Sequence, residues 1–60
     1  MFKTGSYYKT DDNDIFLVTH VDLASVSYRI YNEETKLHGH EFTKSRQYMA
    51  KLEAKEVSFD

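Results

Sequence analysis

The chain has 60 residues, no cysteine, and eight Lys and Arg against ten Asp and Glu, for a formal net charge of −2. A chain this short suits one domain over residues 1–60 and buries only about 60% of the surface its unfolded form exposes. Lack of cysteine excludes a disulfide framework and thiolate metal sites, and the slight acidic excess argues against a binder that relies on neutralising phosphates.

In chain order, "MFKTGSYYK" opens without the apolar stretch of a signal peptide, and its aromatic run "SYYKT" after Gly5 predicts a first short strand. Asp11 to Asp14 predict a turn, because Asp and Asn side chains hydrogen-bond their own backbone. Ile15 to Val21 predict a second strand that is apolar on both sides: Ile15, Leu17 and Val21 fall on one face, Phe16 and Val18 on the other. Asp22 to Ala24 form a short connection to a third strand, Ser25 to Tyr31. There the alternation is clean, with Val26, Tyr28 and Ile30 opposite Ser27, Arg29 and Tyr31. "NEETK" at 32–36 predicts a hairpin loop, and Leu37 to Phe42 a fourth strand with a bulge at Gly39.

The tail changes character. "TKSRQYMAKLEAKE" at 43–56 is rich in strong helix formers, with Thr43 or Ser45 as the starting cap and Tyr48, Met49 and Leu52 on one side. The alternation of Tyr48, Ala50 and Leu52 leaves a final strand as the competing reading. The fold expected is α+β: a small antiparallel meander or SH3-like barrel of four to five strands with a C-terminal helix. One helix covers one sheet face only, so apolar residues on the other face need Phe2, Tyr7, Val57 or Phe59 to fold over them, or a partner.

Motifs for chemistry are sparse. His38 and His40, at i and i+2, share one side of a regular strand, and His20 is the only further histidine. Without cysteine, three such residues are better read as surface histidines than as a zinc set, so neither metal nor cofactor is expected. "DDNDIF" lacks the glycine of a calcium loop and places Ile15 where a ligand is needed. Nothing sets a nucleophile beside a base, and Gly5 and Gly39 are too isolated to form a phosphate-cradling loop, so an enzyme is not expected.

The succession "MFKTGSYYK", "IFLVTHVD", "VSYRIY" and "FTKSRQYMAKLE" resembles the small SH3-like β-barrel proteins of tailed phages. It departs from them in its long C-terminal segment, where such barrels finish with a single turn and a strand. The resemblance implies a small product that binds and modulates a host protein, such as a defence or nucleic-acid-processing factor. The expected function is therefore non-enzymatic binding of a protein partner. A nucleic-acid-binding β-barrel and a homodimeric structural module are the alternatives. The expected setting is cytoplasmic, the host cytoplasm for a phage-encoded chain, because no apolar run reaches the roughly 18 residues of a membrane span. Arg29, Tyr31 and Phe16 are the candidate centre of the partner surface, since Arg and Tyr are enriched at binding hot spots.

Overall fold

A computed structural model describes residues 2–58. The elements are β1 (Tyr7–Lys9), β2 (Ile15–Val21), β3 (Ser25–Asn32), β4 (Leu37–Ser45), α1 (Arg46–Lys51) and β5 (Lys55–Val57). All pairings are antiparallel, and the sheet order is β4-β3-β2-β1-β5. β1 to β4 form a meander, and the chain then crosses through α1 to place β5 beside β1. With β4 and β5 at opposite edges the sheet is open, which corrects the closed-barrel version of the expectation.

The turns follow from local chemistry. Asn13 takes a left-handed φ of 68°, a conformation Asn tolerates well. In the β3–β4 hairpin the Asn32 side-chain oxygen accepts from the Glu34 and Thr35 N–H groups at 2.9 and 3.2 Å. That side chain satisfies two loop donors that no strand could reach.

Two bulges decide which side chains face the core. In β2, Val18 pairs with Tyr28 and His20 with Ser27, so Thr19 is an extra residue. Strict alternation would put Val21 with Ile15 and Leu17. The bulge instead turns it onto the opposite face, where it packs against the core with Phe16 and Val18. In β4, Gly39 and His40 together oppose Ile30, where the sequence placed a bulge.

The core lies on the face carrying Tyr8, Phe16, Val18, Val26 and Tyr28, closed by Met49 and flanked by Phe2, Val21, Leu52 and Ala54. Rings fill much of it: Phe2 stands edge-on to Tyr8 at 4.8 Å, and Phe16 lies 5.1 Å from Tyr28. Such pairs contribute about 0.5–1.5 kcal/mol beyond the area they bury.

The helix covers only part of residues 43–56: 43–45 continue β4, Tyr48 and Ala50 lie in α1 rather than in a strand, and the final strand forms further on, at Lys55–Val57. Ser45 is the N-cap: its Oγ accepts from the Tyr48 N–H at 3.1 Å. The Arg46 N–H donates to the Ala24 carbonyl at 3.0 Å, tying the helix start to the β2–β3 loop. Only Met49 on the helix is buried, while Leu52 is half-buried and Tyr48 exposed. The chain leaves the helix through Glu53, whose φ of 52° is left-handed, and this reversal frees residues 55–57 to pair with β1.

Candidate binding face

The sheet face opposite α1 is built from two rows of paired residues. One runs Val57, Tyr7, Leu17, Arg29, Glu41, and the other Lys55, Lys9, Ile15, Tyr31, His38. Directly opposed residues in antiparallel strands share a face, so the register alone sets this grouping.

Aromatic side chains form a second, smaller cluster here. The rings of Tyr7 and Tyr31 meet edge-on at 5.1 Å, and Tyr31 lies 4.8 Å from the His38 ring. The Tyr7 hydroxyl and His38 Nε2 are hydrogen-bonded at 2.9 Å. Ile15, only 4% exposed, occupies the same row between Lys9 and Tyr31. The apolar excess of β2 is therefore taken up on both sides, by the main core and by this cluster. Tyr7 and Phe2 each contribute to one side, whereas Phe59 lies outside the described residues.

Arg29 is exposed, and its Nε donates to the Gly39 carbonyl at 2.7 Å, bracing the β4 bulge. Glu41, though opposite Arg29, accepts from the Thr19 hydroxyl at 2.7 Å. Of the residues proposed from sequence, Arg29 and Tyr31 are brought together and Phe16 is not. Phe16 pairs with Ile30 on the core face and is 2% exposed, which corrects its assignment to the partner surface. The physical reason is that alternation puts Phe16 on the side that Tyr8, Tyr28 and Phe2 close over.

Tyr7, expected from sequence to cover apolar residues, and His38, expected to be a surface histidine, join this face together with Lys9 and Lys55. Alternation with Tyr8 puts Tyr7 on this side, whereas the helix formers of residues 43–56 predict a helical Lys55, which instead lies on β5. The histidines do not converge. The β4 bulge breaks the alternation that would align His38 with His40, and His20 lies 3.2 Å from the Asp22 carboxylate. Among the described residues no group of three His, Asp or Glu is placed to hold a metal ion.

Two other surface features lie on the α1 side. Ile30 and Phe42 remain partly exposed, and Tyr48 on the helix is exposed, its ring approached by the Lys44 ammonium at 5.4 Å. An open groove of about 510 Å³ runs between α1 and the sheet, lined by residues that include Phe2, Val21, Met49, Arg46 and Glu53.

Fold and face together define a small open antiparallel sheet backed by one short helix, with an aromatic and cationic surface on its other side. No helix among the described residues is long and apolar enough to cross a membrane. No family model, curated protein or solved structure matches the chain.

Proposed function

We propose that this chain is a non-enzymatic protein-binding module whose contact face is centred on Arg29 and Tyr31, with Tyr7 and His38 beside them. The observation that carries this reading is the shared face. Alternation and register gather an exposed guanidinium and an aromatic cluster on the side away from α1, where neither is needed by the main core. Arg and Tyr combine large contact area with directed hydrogen bonds, which makes them the commonest energetic anchors of protein interfaces. A meander of four strands whose fifth returns beside β1 after a short helix supports an SH3-like reading in open form. That resemblance in turn favours a modulator of a host protein.

The test is capture of a protein from host lysate, identified by mass spectrometry, with wild type and the Arg29→Glu variant compared. Arg29→Glu removes the bond to Gly39 and sets a second carboxylate opposite Glu41, so amide shifts are expected around the β4 bulge, while the rest of the spectrum stays dispersed as in wild type and the captured protein is lost. Equal capture by a folded Arg29→Glu variant overturns the assignment.

A further inference from the structure

We infer that the partner presents an acidic polypeptide segment, recognised by Lys9 and Lys55 together with Arg29; this rests on reading the face as a protein-binding surface. Lys9 and Lys55 are directly opposed on neighbouring strands, β1 and β5, and both are exposed. Like charges in that relation repel and weaken the pairing. Neither has an ion pair among the described residues. A lysine on edge strand β5 is by itself an ordinary guard against stray edge pairing. Lys9 lies on an interior strand, where that explanation does not reach.

The charge of this face also runs against that of the molecule. The chain carries a net −2, yet the paired positions here hold Lys9, Lys55 and Arg29 against the single carboxylate of Glu41. Glu41 is engaged by Thr19. A carboxylate arriving between Lys9 and Lys55 turns a repulsive pair into an attractive triad, and the Arg29 fork suits a second carboxylate.

A nucleic-acid strand fits less well. The β1–β2 turn with Asp11, Asp12 and Asp14, and the β3–β4 turn with Glu33 and Glu34, lie at the same end of the sheet as the Lys55–Lys9 row. A continuous polyanion crossing that end meets these carboxylates, whereas a polypeptide carrying a few discrete acids beside apolar residues does not have to.

The experiment titrates isotope-labelled protein with a short, tyrosine-rich glutamate–tyrosine copolymer, whose acids are few and separated by aromatic residues, at low and high salt, with a lysine–tyrosine copolymer and oligothymidylate as parallel arms. Amide shifts are expected at Lys9, Lys55 and Arg29 with the acidic copolymer, weakening as salt rises. The informative variant is Lys9→Glu, which places an opposite charge across from Lys55. Its melting temperature should rise while its affinity for the acidic copolymer falls by about tenfold or more. Lys9→Arg should keep both properties. The inference is overturned if Lys9→Glu binds the acidic copolymer as wild type does, if the shifts map to the α1 side, or if oligothymidylate binds as tightly. Should Lys9→Glu still capture the host protein that Arg29→Glu loses, the acidic-segment inference fails and the protein-binding reading stands. Should Arg29→Glu also retain it, the reading itself fails.

Discussion

The Tyr7 hydroxyl lies 2.9 Å from His38 Nε2, although their strands, β1 and β4, are separated in the sheet by β2 and β3. The two side chains meet across the face beside Tyr31, so one hydrogen bond ties together parts of the chain 31 positions apart. Removing it with Tyr7→Phe should cost about 0.5–1.5 kcal/mol, the usual net value of such a bond. His38→Ala also loses ring contact with Tyr31, so a double-mutant cycle by urea unfolding is the proper measurement. A coupling energy indistinguishable from zero would show that the bond contributes nothing in solution.

Met49 is the single helix residue fully enclosed by the core. Met49→Ala should cost about 2–5 kcal/mol, comparable with the ~3–5 kcal/mol that a core of this size supplies. The variant is therefore expected to be largely unfolded by circular dichroism. Leu52 is only half-buried, and Leu52→Ala should retain a cooperative transition at a lower midpoint. The reverse order of severity would mean that the helix docks through a different face.

Glu53 ends the helix in a left-handed conformation with φ of 52°. A side chain there carries strain of about 1–2 kcal/mol that glycine does not, while glycine makes the unfolded chain more flexible. Glu53→Gly should accordingly stabilise the fold by roughly 0.5–1 kcal/mol. Thermal unfolding measures this directly, and a lowered melting temperature contradicts the strain assignment.

Burial disfavours ionisation of the Tyr28 phenol and raises its pKa above the ordinary value of 10.0, and the neighbouring Tyr48 charge adds to the effect. Because the folded state holds this proton more tightly, the stability it contributes is complete below the unfolded value and is lost as pH climbs from there through the folded one. Chemical unfolding from neutral pH to above 10.0 should show falling stability at the alkaline end. Tyr28→Phe should flatten that fall, and an unchanged slope in the variant assigns it to other groups.

Much of the architecture was legible from local pattern. The first four strands, apart from the extension of β4 to Ser45, their order, the turn at Asp11–Asp14 and a cap at one of the two candidates Thr43 and Ser45 rest on alternation, turn chemistry and capping, which operate within a few residues. The grouping of Arg29 with Tyr31, and of Val26 with Tyr28 and Ile30, follows from the period of two along an unbulged strand.

What only the tertiary structure decided depends on contacts between distant segments. The helix stops at Lys51 because Glu53 turns left-handed, and no residue type in the sequence announces that reversal. Lys55 to Val57 then become a strand only because β1 offers them an edge, against the local propensity of the preceding segment. The Thr19 bulge moves Val21 to the other face, where the space beside Val26 accepts it. Phe16 entered the core rather than the binding face because the rings of Phe2, Tyr8 and Tyr28 close on that side. Strand periodicity divides residues between two faces, but which face is buried is settled by the elements that come to cover it.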